Sequence, residues 1–370
     1  MKRLAIFVFY DFQGIVDKYV EYLLYELIKV VKELVIISNG SLSEEAKQIF
    51  SRYSNRVYER ENKGFDAGAY KDAFTFYLKD EDWHTWDEVI MLNDTFYGPI
   101  YPFELLFEKM DKQNIDFWGL TKFENGTWDN GEKIPCHIQG YFLGVRKSML
   151  CSEVFHKFWN DMRYPQVLRD AIQEYEVKFT DWFSKLGYRY VAYTDITENG
   201  YIKNVKDNVY FVYTYELIAE SKVPVVKRNS LYLINYSNAK KTLDYIKNNT
   251  LYEVGLIKKH INRLDNYNQV KPFGFKKLYE FCNSFSKIYI YGYGRYGHEI
   301  KRYMDDVKLQ VEKFVVTKQE YNAGDVMTID ELVVDENTGI ILAVGAKNTK
   351  QVKELLYTLI PLRQVFIPQY

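Results

Sequence analysis

The stretch Glu61-Asn62-Lys63-Gly64-Phe65-Asp66-Ala67-Gly68-Ala69-Tyr70 gathers the residue types and spacing that could do chemistry. Two glycines and two alanines leave the main chain open, and Asn62 and Asp66 add polar side chains. The extended run Arg56-Val57-Tyr58 precedes it, and Lys71 to Leu78 follows with the apolar spacing of a helix. A strand, a glycine turn and a helix start together present backbone N–H groups to an anionic ligand. Small residues let a phosphate or a sugar approach the main chain closely. The same residues would also make a tight turn that packs a helix on a sheet, with Asn62 and Asp66 as caps.

The elements around this stretch decide between the two. Leu4 to Tyr10, Leu34 to Ile37, Val57-Tyr58 and Glu88 to Leu92 read as strands. Helical spacing lies between them, as in Val20, Leu23, Leu24, Leu27, Ile28 and Val31. That alternation predicts a mostly parallel sheet covered by helices, whose ligands lie beyond the carboxyl ends of the strands. Ser38-Asn39-Gly40, Asn62-Lys63-Gly64 and Asn93-Asp94-Thr95 all fall on that rim, which turns alone do not explain. Further strands are expected at Phe117 to Thr121, His137 to Val145 and Tyr188 to Tyr193, with helices at Ser152 to Met162 and Leu168 to Leu186. Leu243 to Leu264 reads as charged and helical. Its Lys258, Lys259, His260 and Arg263 suit either a solvated face or contact with an anionic bilayer.

Near Pro272 the pattern restarts. Ser286 to Tyr291 is a strand, Gly292-Tyr293-Gly294-Arg295-Tyr296-Gly297 follows, and a helix runs through Met304. G-x-G-x-x-G between strand and helix is the context of a dinucleotide-binding loop, so Gly292, Gly294 and Gly297 form a candidate ligand loop. The next strand, Val311 to Val316, ends in Thr317 and Lys318 where a ribose-binding acid should stand, with Glu320 slightly late. NAD is therefore not expected. The expected organisation is a large α/β domain over 1–240, a helical linker over 241–275 and a small Rossmann-like α/β domain over 276–370.

Composition sets limits. The 370 residues carry a formal net charge of -1, which gives no electrostatic case for nucleic acid. The 34 Tyr, 24 Phe and 6 Trp suit sugar stacking as well as an aromatic core. Cys136, Cys151 and Cys282 show neither disulfide nor metal spacing and suggest a reducing compartment. No run is long enough for a membrane span, and the apolar start reads as a first strand rather than a leader.

In order along the chain, Ser38-Asn39-Gly40-Ser41, Asn62 to Ala69, Asn93-Asp94-Thr95 and Tyr175-Glu176 before Gly187 resemble a glycosyltransferase of the nucleotide-sugar-binding GT-A class. More narrowly they resemble the rhamnan synthesis protein F family of bacterial polysaccharide enzymes. His137-Ile138-Gln139 and Pro224-Val225-Val226-Lys227-Arg228 are similar to later blocks of that family, and the likeness covers about residues 1–235. The resemblance implies transfer of a sugar, rhamnose or another deoxyhexose, from a nucleotide-diphosphate donor to a lipid-linked or polysaccharide acceptor. It implies donor contacts at Ser38, Asn39, Asn62, Gly64, Asp66, Gly68, Asn93 and Asp94. Acceptor or phosphate contacts are implied at His137, Gln139, Lys227 and Arg228. Related transferases hold Mg or Mn with an Asp-x-Asp at a strand end, where this chain has Asn93-Asp94-Thr95, so Asp94 is the candidate metal ligand. They also carry a Glu-Asp pair before a helix-closing Gly, where Tyr175 and Glu176 stand, so Glu176 is the candidate base. The implied location is cytoplasmic, peripheral at the inner membrane face. Competing readings are a nucleotide-sugar-modifying oxidoreductase and a non-catalytic glycan-binding scaffold.

Overall fold

The run Arg3–Phe9 (β1) is buried at every position, as a strand flanked on both sides must be. It pairs in parallel with β2 (Glu33–Ser38), β2 pairs with β3 (Arg56–Glu59), and on its other side β1 pairs in parallel with β4 (Glu88–Asn93). The computed structural model describes residues 1–127, 131–195, 208–266, 274–318 and 323–368. β5 (Phe117–Gly119), β6 (Phe142–Arg146) and β7 (Tyr190–Ala192) complete a seven-stranded sheet of order β7-β5-β6-β4-β1-β2-β3. β6 is antiparallel to both its neighbours, and the remaining pairs are parallel. The expected α/β class with a mostly parallel sheet is what the chain adopts, in the GT-A-like manner.

The chain folds into two units. The first is 1–227 with 246–253, and the second is 228–245 with 254–370. In the first, the helices Phe65–Asp72, Glu153–Asp161 and Lys178–Lys185 bury their apolar residues with those of the sheet. Much of the aromatic excess sits there: the rings of Phe74, Phe155, Phe158, Trp159, Phe179 and Phe183 pack edge to face, stacked or tilted. The helical stretch after Leu168 is not uniform. A π-helical turn, Ile172–Val177, interrupts it and carries Tyr175 and Glu176.

The second unit is built on β8 (Lys287–Tyr291), β9 (Phe314–Val316), β10 (Val326–Thr328), β11 (Thr338–Leu342) and β12 (Val365–Phe366). All pairs are parallel and the order is β10-β9-β8-β11-β12, a Rossmann-like arrangement. The glycine-rich turn lies between β8 and the helix Arg295–Asp306, with Gly292 at φ +118° and Gly294 as N-cap. At the end of β9, Thr317 Oγ1 shares a 2.7 Å hydrogen bond with the Tyr291 hydroxyl, and Glu320 falls outside the described residues. The expected restart near Pro272 also falls outside them.

Leu243 to Leu264 is helical, as parts of two helices, Tyr236–Asn249 and Val254–Asp265. Thr250 ends the first by bonding back to the Ile246 carbonyl and accepting the Tyr252 N–H, which turns the chain. His260 is not part of a basic surface. It is buried, and burial, then the Arg228 and Arg263 charges, push its pKa down to about 2.

Candidate active site

Because β1 to β4 are parallel, their carboxyl ends share one rim. The ladder continues onto it: Asn39 N–H donates to Phe9, Arg60 N–H to Ser38 and Asp94 N–H to Val8. A cleft of about 790 Å³ opens there, lined by Tyr10, Asp11, Asn39, Ser41, Arg60 and Asn62 among others. Arg60 ties its wall together. Its Nε bonds Asp72 at 2.6 Å, one terminal nitrogen meets Asn39 Oδ1, and the other meets the Lys63 carbonyl at 2.8 Å. Asn39 in turn donates to the Phe65 carbonyl at 2.9 Å. Ser38 is spent locally, donating to the Gly40 carbonyl at 2.8 Å.

Behind the cleft, the Phe65–Asp72 helix starts at Gly64 and bonds Gly68 N–H to the Gly64 carbonyl at 2.7 Å. A Cβ on Gly68 would stand 2.0 Å from the Lys63 carbonyl oxygen, so only glycine permits this close return of the loop. Asp66 points to the end of β4. One oxygen accepts the Ala67 N–H at 2.9 Å and the other the Asn93 amide at 2.6 Å. Burial, then the charge of Glu176, raise its pKa above the ordinary carboxylate value, while Asn93, Ala67 and Lys227 pull the other way. The Asn93 side-chain oxygen Oδ1 accepts from Thr95 N at 3.1 Å and Thr95 Oγ1 at 2.6 Å. Asp94 is buried at the same strand end.

Lys227 reaches this rim from the far end of the unit. Val226-Lys227 pairs antiparallel with Phe96-Tyr97, which sets the ammonium against Thr95 Oγ1 and 4.3 Å from the Tyr141 ring centroid. Glu176 arrives from the π turn. Its Oε1 accepts the Gly140 N–H at 2.9 Å, and its Oε2 lies 3.5 Å from His137 Nε2. A Cβ on Gly140 would lie 2.5 Å from Tyr175 and 3.1 Å from Glu176, so the turn can approach only a glycine. Glu174 faces outward and pairs with Lys178 at 3.1 Å. Among the described residues the buried Tyr70 and Tyr175 hydroxyls find no hydrogen-bond partner, and both feel the charges of Asp66 and Glu176, Tyr70 that of Asp94 as well.

The fold thus gathers Asp66, Asn93, Asp94, Lys227, His137 and Glu176 around one rim, with Asn39 and Asn62 in the adjoining cleft. Gln139 is buried and occupied: its carbonyl accepts from Thr121 at 2.7 Å and its amide donates to Asn208 at 3.3 Å. Arg228 opens the second unit, which also holds the glycines of the candidate ligand loop. Sequence reasoning missed Arg60, Tyr10, Asp11 and Tyr70. The strand-end rule reaches the first three when it is also applied to β1 and to the residues just after β3. A buried orphan hydroxyl such as that of Tyr70 leaves no sequence signal.

Fold and strand-end rim define a GT-A-like α/β protein. The family model described as rhamnan synthesis protein F matches residues 34–287, more than half of the chain, and the chain belongs to that family. An uncharacterized protein, y4gN, of Sinorhizobium fredii is 25% identical over 187 residues, 50% of this chain and 46% of that one. The virulence protein VirA of Vibrio anguillarum is 24% identical over 134 residues, 35% of this chain and 40% of that one. The chain spans about half the length, or less, of these curated relatives. Among solved structures, glucosyl-3-phosphoglycerate synthase from Mycobacterium tuberculosis is similar at 10% identity, 40% of this chain, 58% of that chain and a TM-score of 0.25. A glycosyltransferase that acts in glycosylation of the PBCV-1 major capsid is similar at 13% identity, 51% of this chain, 82% of that one and a TM-score of 0.26. Likenesses of that size add nothing to the architecture read from strand order.

Proposed function

We propose that this protein is a glycosyltransferase that moves a sugar, rhamnose or another deoxyhexose, from a nucleotide-diphosphate donor to a hydroxyl of a growing cell-surface polysaccharide. One observation carries the reading: Glu176 is held by one oxygen beside a rim that also bears Asp66, Asp94 and Lys227. Family membership supports it. In this reading the nucleoside lies in the cleft by Asn39, Asn62 and Arg60, and the diphosphate lies over the Gly64–Gly68 turn. Lys227 offsets charge on the departing diphosphate. Glu176 takes the proton of the acceptor hydroxyl as that oxygen bonds to the anomeric carbon.

A divalent Mg or Mn ion fits the donor set in one way. Among the described residues no three His, Cys, Asp or Glu gather to cage an ion. Such ions are often held by one or two carboxylates together with substrate phosphates, and Asp94 would be that protein ligand. Bound there, the ion would supply Lewis-acid neutralisation of the diphosphate. With a lipid-linked acceptor, the work falls at the cytoplasmic membrane face. The exposed Lys258 and Lys259 would make contact there, checked by salt-sensitive cosedimentation with anionic vesicles.

A thermal-shift screen of nucleotide-diphosphate sugars and dinucleotides, with and without Mg or Mn, tests the function. A ligand of the folded state raises the midpoint. We expect a nucleotide-diphosphate sugar to do so, and more strongly with the ion. A shift with dinucleotides alone would replace this reading with the oxidoreductase one.

A further inference from the structure

The hydrogen bonds of His137 decide which ring nitrogen carries a proton. Nδ1 lies 2.8 Å from the Pro135 carbonyl oxygen. A carbonyl oxygen only accepts, so Nδ1 is the protonated nitrogen and the neutral ring turns a lone pair at Nε2 toward Glu176. Oε2 of Glu176 stands 3.5 Å from that Nε2. Oε1 accepts the Gly140 N–H, which makes it the less basic of the two oxygens. A proton arriving on Glu176 therefore settles on Oε2, the oxygen that faces the imidazole. The ring is 2% exposed and stacked on Phe123 at 5.3 Å, which holds it in place.

We propose that Glu176 and His137 form a two-step proton relay, in which His137 is the final holder of the proton removed from the acceptor hydroxyl. The relay rests on Glu176 being the base of the proposed transfer. As the acceptor oxygen bonds to the anomeric carbon, the bond from that carbon to the diphosphate oxygen breaks and the diphosphate leaves with the electron pair. The acceptor proton goes to Oε2 and then to Nε2. Glu176 is again a carboxylate, and His137 is an imidazolium held between Oε2 and the Pro135 carbonyl. Loss of that proton to water after product release resets the pair. The arrangement keeps a carboxylic acid from lingering beside the new glycosidic oxygen, where it would favour the reverse reaction.

The other charges on the elements packed around His137 are engaged elsewhere. Lys122, on the neighbouring strand, pairs with Glu124 and Asp195. Glu174 pairs with Lys178, and Asp181 with Lys185, on the outer face of the helix. Among the described residues, Glu176 is the charged group whose contact with the ring is recorded, at 3.5 Å.

Two measurements on the full chain test the relay. Nitrogen NMR of histidine-labelled protein reads the ring directly: we expect neutral His137 as the Nδ1–H tautomer, with an Nε2 signal that changes in Glu176→Gln because its partner is altered. A neutral Nε2–H tautomer, or an Nε2 signal unmoved in that variant, overturns the relay. The second measurement is hydrolysis of the donor chosen by the thermal-shift screen, in which water replaces the acceptor. His137→Gln keeps a hydrogen-bonding group near Nε2 without its basicity. We expect kcat to fall about tenfold or more, donor Kd to stay, and the limb of the pH profile set by His137 to vanish. An unchanged rate and profile in His137→Gln, with Glu176→Gln inactive, sinks the relay and leaves the transferase reading standing. Wild-type hydrolysis by Glu176→Gln sinks the reading of the base itself.

Discussion

Glu174 and Glu176 stand two residues apart in one helical stretch, yet only Glu176 meets the rim, while Glu174 pairs with Lys178 at the surface. The two substitutions should therefore differ sharply. Glu176→Gln keeps shape and hydrogen bonding but removes basicity, and transfer should fall by about 10²–10⁴-fold with donor affinity nearly unchanged. Glu174→Gln should be close to neutral. Parallel rate assays and donor calorimetry decide it; equal rates in the two variants would place the base elsewhere. His260 makes a prediction of a different kind. Its folded pKa is lowered from 6.5 to about 2, so the unfolded chain takes up a proton that the folded chain refuses. The stability tied to its neutral ring is full above pH 6.5 and drains as pH falls from there toward about 2. Thermal melts should lose midpoint as the pH drops from about 7 to about 5, and His260→Gln should flatten that slope. An equally steep slope in the variant would mean that other groups carry the acid sensitivity.

At the scale of elements, the site depends on places where two segments touch closer than side chains allow. Gly140 is such a place, since the π turn Ile172–Val177 presses Tyr175 and Glu176 against its backbone. Gly140→Ala forces the turn outward. We expect an overpacking cost of about 1–3 kcal/mol, a loss of transfer approaching that of Glu176→Gln, and little change in donor affinity. Denaturant unfolding and calorimetry on the same sample separate the two effects. Wild-type transfer by this variant would show that the turn need not lie where it does. The pairing of Val226-Lys227 with Phe96-Tyr97 works in the same way, setting a cation at the end of β4 through a strand of only two residues.

At the scale of the molecule, the second unit draws on more than its Rossmann-like sheet. Leu233 and Tyr236 belong to the core of Leu278, Ile288, Ile300 and Tyr303. The Asp265 carboxylate accepts the Gly274 N–H at 3.2 Å and the Lys276 N–H at 3.3 Å, at the start of the Phe275–Asn283 helix. A fragment of residues 228–370 should melt cooperatively. One of residues 274–370 loses a buried Leu, a half-buried Tyr and that cap, and should be less stable by at least about 2 kcal/mol. Urea titrations followed by circular dichroism compare them. Equal stabilities would mean that residues 228–265 add nothing to the unit's core.

The sequence by itself determined the α/β class, the rim and most of the residues on it. The reason is local: apolar runs such as Leu4–Phe9 can satisfy their backbone only as buried strands, and a polar triplet at the end of each parallel strand must fall on one edge. The Gly64–Gly68 turn was legible for the same reason, because its conformation is written in the residues that make it. The tertiary structure alone decided which candidates meet. Lys227 reaches Thr95 by pairing across a long separation, His260 leaves its basic neighbours because its side of the helix is buried, and Gln139 is taken up by Thr121 and Asn208. The π turn that aims Glu176 is set by contact with Gly140, and the tautomer of His137 by the Pro135 carbonyl. Such outcomes depend on which surfaces come together, and no local spacing encodes that.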